Sequence, residues 1–362
     1  MHLTSLSLLN FKNILQLELD LSSRVNCFLG DNGQGKTNLL DAVYHLSYTK
    51  SYFNSIDSQN IMFDESFYVI QGQVNDDLEE SGLYCALKKG EKKVFRKNKE
   101  VYKRLADHIG VFPVVMITPY DINLILEGSE IRRKFLDSLI SQFDKSYLME
   151  LLQYNKLLKQ RNALLKSTNN TKDLMQIYEM QMAEKAQFIY AKRNSFVEDF
   201  IPIFNQYYSD ISSNREQVSL EYHSSLHEHS MEKLFQINKE KDNILSYTSS
   251  GIHRDDLGFS IANCSLKKFG SQGQQKTFLI ALKLAKFEYI RTKKKINPVL
   301  LLDDVFDKLD DHRVGYILKL IEGNKLGQTF ITDTNTTKIP SILKDLKVDH
   351  KVFQISNGNL KM

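Results

Sequence analysis

The sequence predicts an α/β fold: a largely parallel sheet with a glycine-rich turn at one strand end, interrupted by a helical second lobe. Three observations predict it. Near the start, the apolar, β-prone run VNCFL leads through a glycine-rich turn into a helical pattern. Near the end, a second apolar run, VLLL, delivers two aspartates. Between them, residues 129–208 are dominated by helical periodicity. The expected division is therefore 1–128 and 245–362 as two parts of one sheet lobe, with 129–244 as a helical insertion.

Bulk properties narrow the class. The 362 residues suffice for two domains, or for one large domain with an insertion. Lys and Arg total 48 against 44 Asp and Glu, and the net charge of +4 is too small by itself to imply nucleic acid. Cys27, Cys85 and Cys264 show neither metal nor disulfide spacing, which fits a reducing cytosol. MHLTSLSLLNFKN lacks a positive leader and a long apolar run, so no signal peptide is expected. No apolar stretch approaches the roughly 20 residues that cross a bilayer, and no membrane role is expected.

The first element is the strand around Val25–Leu29. Gly30-Asp31-Asn32-Gly33-Gln34-Gly35-Lys36-Thr37-Asn38 follows it and contains the full G-x-x-x-x-G-K-[ST] pattern in its strand–loop–helix setting. A bound triphosphate needs those types at that spacing. Glycines let the backbone close around phosphate oxygens, Lys36 brings a point charge to the β- and γ-phosphates, and the Thr37 hydroxyl coordinates Mg²⁺. Leu39, Val43 and Leu46 then mark the helix.

Residues 87–104, LKKGEKKVFRKNKEVYKR, read as a hairpin turning at Lys89-Gly90-Glu91, with Val94 and Phe95 on its return. Lys88, Lys89, Lys92, Lys93, Arg96 and Lys97 give it a basic stripe. That stripe is either a solvated surface or a contact that neutralises DNA phosphates without reading bases. Arg132 and Arg133 are weaker DNA candidates.

In the insertion, SYLMELLQYNKLLKQRNALLK and DLMQIYEMQMAEKAQFIYAKRNSFVEDFIPIF are separated by STNNT (167–171), which predicts a short antiparallel hairpin. Its arms of about 20 to 35 residues would span roughly 30–50 Å. His223, His227 and His229 have no cysteine or acid at metal spacing, which argues against zinc.

FGSQGQQKTFLIALKLAKFEY puts Ser271, Gln272, Gly273, Gln274 and Gln275 at the mouth of an apolar helix. Backbone N–H groups without partners at such an end accept anions. Arg291, Lys293, Lys294 and Lys295 at the opposite end of that helix are either a further weak DNA candidate or only a complement to the helix C-terminus. PVLLLDDVFDKLD (298–310) then reads as a buried parallel strand ending in Asp303 and Asp304. Ligands of open α/β sheets sit at that edge, so both acids should face the glycine-rich turn. Asp303 is the expected Mg²⁺ partner, and Asp304 the general base that polarises the attacking water.

From first strand to last, the chain resembles the ABC-type ATPases of DNA maintenance, a group that includes SMC, Rad50 and RecF proteins. SQGQQKT is similar to the RecF form of the signature loop. NFKN (10–13) ahead of GDNGQGKTNLLDAV, IRRKFLD (131–137), GIHRDDLGF (251–259) and LLLDDVFDKLD (300–310) are also RecF-like. The resemblance implies an ABC-type P-loop NTPase head with a helical second lobe and no long coiled coil. It implies that Ser271 and Gly273, within 271–275, reach the γ-phosphate of ATP held by the opposite protomer. Leu309-Asp310 would be the D-loop, touching the partner's phosphate loop. One copy of each motif per chain then requires an ATP-dependent homodimer.

The resemblance further implies a weak DNA-dependent ATPase, cytoplasmic and nucleoid-associated, that binds duplex and gapped DNA and single-strand/duplex junctions. Its partners would be RecR, with RecO, in promoting RecA loading on single strands. Asp304 stands where many ABC ATPases have Glu, a departure RecF proteins share, and its shorter reach implies slow turnover. Ile252 replaces the usual proline and Lys276 the common arginine. No switch histidine follows GQTFITDT (327–334), and ITPYD (117–121) is the candidate Q-loop segment. His253 and Arg254 read as structural or dimer-interface residues. A transporter's nucleotide-binding subunit and an SMC-like tether share these loops, but the former needs a surface for transmembrane helices and the latter long arms.

Overall fold

Apolar runs without alternation are suited to a sheet covered on both faces, and that is where they are found. The computed structural model describes residues 1–76, 79–167, 172–214, 216–306, 310–345 and 347–361. Two compact units emerge, one of residues 1–121 with 286–362 and one of residues 122–285. The second unit thus extends beyond the expected break at 244, and the segment 271–275 belongs to it rather than to the sheet lobe. The reason is that the helix Gln272–Lys294 spans the division, which no glycine or proline marks.

The first unit contains a six-stranded sheet ordered Asn359–Leu360, His350–Ser356, Val25–Leu29, Thr329–Asp333, Val299–Leu302, Val114–Ile117. All neighbours run parallel except the short Asn359–Leu360. VNCFL, VLLL and VVMI are buried at every position. Leu29 pairs with Asp333, and Leu302 with Ile331 and Ile117. This register brings Gly30, Thr332 and Asp303 out at one sheet edge.

A second six-stranded sheet is antiparallel: Ile14–Asp20, His2–Phe11, Phe67–Asn75, Glu80–Lys88, Val94–Lys97, Glu100–Val101. The helix Lys36–Tyr48 is buried along nearly its whole length. Its Leu39, Leu40, Val43 and Leu46 join Leu6, Leu8, Tyr68, Ile70 and Phe95 of the antiparallel sheet and Phe28, Leu301 and Phe330 of the parallel one in a single core. Each such side chain contributes about 1.5–3 kcal/mol. The helix closes onto bare backbone at Gly72, where an added Cβ would stand 2.7 Å from Leu46 Cδ1. A side chain at position 72 would therefore force the Leu46 and Leu3 side chains to repack.

In the second unit, Lys145–Lys166 packs on Lys172–Ser212, a hairpin as expected, although residues 168–171 of its STNNT connection lie outside the described residues. The second arm is longer than its pattern suggested, at 41 residues or about 60 Å. Pro202 does not end it, because Phe200, Phe204, Tyr208 and Ile211 keep the apolar face buried beyond the proline. A three-stranded sheet, Cys264–Ser265, Asp256–Ile261, Val218–His223, completes this unit. Among the described residues no helix is long and apolar enough to cross a membrane.

Candidate functional site

The glycine-rich turn emerges from Val25–Leu29 and is shaped by two glycines. Gly30 has φ +152°, and an added Cβ would stand 2.3 Å from the Ile355 carbonyl oxygen. Gly35 caps the helix Lys36–Tyr48 at φ +105°, and its Cβ would press on the Asn13 side chain at 2.9 Å. The backbone approach at Gly30 leaves no room for a Cβ, and the left-handed φ at Gly35 strains any larger residue. Asn13, from NFKN, accepts a hydrogen bond from Asn38 Nδ2 at 2.7 Å. Gln34 turns away from the loop's mouth: its side-chain oxygen accepts from Asn357 N at 2.6 Å and its carbonyl from Gly358 N at 2.9 Å. Gly358 in turn sits so close to Asn13 that a Cβ would meet its carbonyl oxygen at 2.3 Å. Two turns far apart in sequence thus frame the loop, and Gln34 and Asn38 serve that frame.

Asp31, Asn32 and Gly33 are exposed at the open side. Lys36 is 4% exposed, and its Nζ donates to the carbonyls of Gly30 and Asp31 at 2.8 and 3.0 Å. No carboxylate pairs with it among the described residues. A buried ammonium satisfied only by carbonyls leaves its full charge for an anion.

Across the sheet edge, Thr37 Oγ1 donates to Asp303 Oδ1 at 2.8 Å. Thr332, one strand over, contacts the same oxygen at 3.0 Å, lies 3.3 Å from Asp304 Oδ1, and accepts from Asp304 N at 2.8 Å. Burial pushes the Asp303 carboxyl up to about 6, with help from the charge of Asp304 and against the hydrogen bonds from Thr37 and Thr332. Asp304 is half-buried and has φ +46°, a left-handed conformation that costs a non-glycine residue of order 1–3 kcal/mol. A hydroxyl and two adjacent carboxylates, one nearly dry, make a hard-oxygen donor set suited to Mg²⁺. The residues present therefore fit a nucleotide with its metal.

Thr332 escaped the sequence reading, which sought a histidine after GQTFITDT. The available signal was a hydroxyl residue near the C-terminal end of the strand Thr329–Asp333, which pairs with the strand that delivers Asp303. ITPYD serves packing: Asp121 is buried, accepts from Thr118 N at 2.8 Å and from Tyr52 Oη at 2.5 Å, and offers no amide.

Ser271 and Gln274 form a reciprocal cap at the start of Gln272–Lys294. Ser271 N donates to Gln274 Oε1 at 2.7 Å, and Gln274 N donates to Ser271 Oγ at 3.2 Å. Ser271 and Gln272 are exposed and Gly273 half-buried. Gln275 points inward instead, buried and donating to the Leu266 carbonyl at 3.3 Å, which leaves it a structural role. Asp310 caps Asp311–Glu322, accepting from Arg313 N at 3.0 Å, while Leu309 lies outside the described residues.

The basic hairpin forms with its turn at Lys89-Gly90-Glu91, where Glu91 N donates to the Lys88 carbonyl. Lys89 and Lys92 stand in solvent without an ion pair among the described residues, and exposed Arg96 stacks on Tyr84 at 5.0 Å. Lys88 pairs with Glu91 at 2.8 Å. Lys97 is half-buried. Lys93 corrects the expected stripe: its side chain is 6% exposed and pairs with Asp57 at 2.7 Å, because residues 57–60 cover that side of the hairpin. Arg132 also leaves the DNA candidates, held by Asp256 at 2.7 Å and by the Leu124 and Glu127 carbonyls. His227 bonds Tyr190 Oη and the Tyr222 carbonyl, and His253 bonds Tyr154 Oη and the Thr248 carbonyl, so both are structural.

Residues 2–357 match the family model described as the RecF/RecN/SMC N-terminal domain. The chain is 48% identical over 359 residues to the DNA replication and repair protein RecF of Flavobacterium johnsoniae, covering 98% of this chain and 100% of that one. It is 47% identical over 361 residues to the RecF protein of Parabacteroides distasonis, covering 100% and 99%. A solved structure of the recombination mediator protein RecF with ATP, in the RecFOR pathway, matches with a TM-score of 0.90 at 32% identity over 99% of this chain and 97% of that chain. An SMC head domain from Pyrococcus furiosus matches at a TM-score of 0.57 and 15% identity, over 99% and 95%, and shares the fold alone.

Proposed function

The chain belongs to the RecF family of DNA replication and repair proteins, and on that premise we propose that it is an ATP-dependent recombination mediator that grips DNA as a nucleotide-bound dimer. Its fold is that of an ABC-type P-loop head with a helical second lobe. The observation that carries the reading is the 2.8 Å bond from Thr37 to Asp303, which joins two segments 266 residues apart in sequence.

Lys36 donates to the β- and γ-phosphates, and the backbone N–H groups of 31–37 surround them. Thr37 and Asp303 would hold Mg²⁺, which would supply charge neutralisation on the phosphate oxygens. Asp304 accepts a proton from the attacking water, and Thr332 holds it in position. Ser271 and Gly273 complete the site of the opposite protomer. Lys89, Lys92 and Arg96 neutralise DNA phosphates without reading sequence. Following the relatives' pathway, the dimer acts in the cytoplasm at duplex and gapped DNA with RecR and RecO, promotes RecA loading on single strands, and hydrolyses ATP slowly in a DNA-dependent way.

Sedimentation with and without ATP·Mg²⁺, adding duplex, single-stranded and gapped DNA in turn, tests this. The expected result is a dimer only with nucleotide, DNA co-sedimenting with the dimer, and loss of both in Lys36→Ala. A monomer at saturating ATP with every DNA refutes it.

A further inference from the structure

A reciprocal helix cap needs only two side chains, yet the one at the start of Gln272–Lys294 engages a third. Gln274 Nε2 donates to Glu216 Oε1 at 2.8 Å, and Tyr208 Oη donates to Glu216 Oε2 at 2.6 Å. Tyr208 is 1% exposed near the end of the long arm Lys172–Ser212, and its ring meets Phe278 edge-on with centroids 6.3 Å apart. Phe278 lies on the helix that the cap opens, and Phe204 of the same arm packs on it at 4.7 Å. Glu216 therefore ties the loop to an arm that already packs against the loop's own helix.

The carboxylate settles an ambiguity that Gln274 carries by itself. An amide side chain can offer its oxygen or its nitrogen to either neighbour. A carboxylate only accepts and the Ser271 N–H only donates, so Nε2 must face Glu216 and Oε1 must face Ser271 N. Gln274 N in turn donates to Ser271 Oγ at 3.2 Å. The Ser271 hydroxyl thus accepts within the cap and keeps its own proton, for which no acceptor stands among the described residues. Ser271 is exposed, so that proton is open to an oxygen from outside the chain.

We propose that Glu216 is a positioning residue for the contact between Ser271 and the γ-phosphate held by the opposite protomer, acting through Gln274. The inference rests on the trans role of Ser271 proposed above and extends it to a residue that touches no nucleotide. Without the carboxylate, the Gln274 amide is free to turn over and bring Nε2 against the Ser271 N–H, donor against donor. The cap then opens, and the hydroxyl loses the bond that orients it. A cap that served helix stability alone would work as well with the far side of Gln274 in water.

Sedimentation of the full chain with ATP·Mg²⁺ tests this in Glu216→Leu, Glu216→Gln, Ser271→Ala and the double variant Glu216→Leu with Ser271→Ala. Leucine offers no acceptor, whereas glutamine keeps an oxygen for Gln274 and an amide that Tyr208 Oη can accept from. Glu216→Leu should weaken the ATP-dependent dimer by about tenfold or more, and Glu216→Gln should hold it within about threefold of the unmodified chain. In the Ser271→Ala background, Glu216→Leu should change the dimer by less than about twofold, because its route to the phosphate is already gone. Far-UV circular dichroism of both Glu216 variants reports the fold. An equal loss with and without the Ser271 hydroxyl overturns the inference, since general weakening of the second unit would be additive. A dimer of normal strength in Glu216→Leu overturns it too, and leaves the role of Ser271 standing if Ser271→Ala is impaired. An unmodified chain that stays monomeric with ATP, or a Ser271→Ala dimer of normal strength, overturns it together with the reading beneath it.

Discussion

Thr332 has one hydroxyl and three tasks: it accepts from the Asp304 backbone and touches a carboxylate oxygen of both Asp303 and Asp304. Valine has nearly its shape and none of its hydrogen bonds. Thr332→Val therefore strands the Asp304 N–H, at a cost of about 1–3 kcal/mol, and loosens both acids. Single-turnover measurements should show ATP hydrolysis lowered by roughly 10- to 100-fold with nucleotide affinity changed little. An unchanged rate would remove Thr332 from the site. His108 gives a prediction of another kind. Burial lowers its pKa to about 4, and the ring is held between the Leu46 carbonyl at 2.7 Å and Tyr102 Oη at 3.2 Å. An unfolded chain protonates this imidazole near 6.5, so between pH 6.5 and 4 the unfolded state binds the extra proton and stability falls as pH falls. The loss is on the order of 3 kcal/mol from this group, opposed by Asp303, whose raised pKa takes up a proton in the folded state below about 6. Urea unfolding from pH 7 to 4 should give a shallower pH dependence for His108→Gln than for the unmodified chain.

At the scale of elements, strands buried on both faces wrote themselves into the sequence as unbroken apolar runs, and the glycine-rich loop as a fixed spacing. Charged residues inside the second unit did not. Arg193 is 1% exposed and meets Asp137, Asp255 and Tyr147, which come from three separate segments. Arg161 likewise meets Glu179 and Asp242. A buried arginine looks like any helical surface arginine until its partners are brought in from elsewhere. Lys93 was misread for that reason, since Asp57 lies on a distant segment. The basic hairpin separates the two kinds of lysine. In Lys89→Glu with Lys92→Glu, DNA affinity should drop and the slope of log K against log salt should flatten by about two, without loss of thermal stability. Lys93→Glu should instead lower the melting temperature, because it puts an acid against Asp57.

For the whole molecule, the proposed cycle needs two chains, and the helix entry at Ser271 is where they would meet. Arginine there adds bulk and removes the hydroxyl that caps Gln274. Ser271→Arg should leave ATP binding by the single chain intact and abolish nucleotide-dependent dimers in sedimentation; a normal dimer would deny Ser271 its trans role. The loop that binds nucleotide has a further property. Its frame is closed by Asn357, 323 positions after Gln34, and by the neighbouring Gly358. Ribosomes make the loop early and its support late, so a nascent chain carries the motif long before it carries a working site. Proteolysis ahead of residue 350 would likewise leave the motif readable and the cradle unsupported. In the proposed cycle, nucleotide affinity would thus double as a check on integrity: a product cut short of this late turn would carry the motif and fail to join the nucleotide-bound pair.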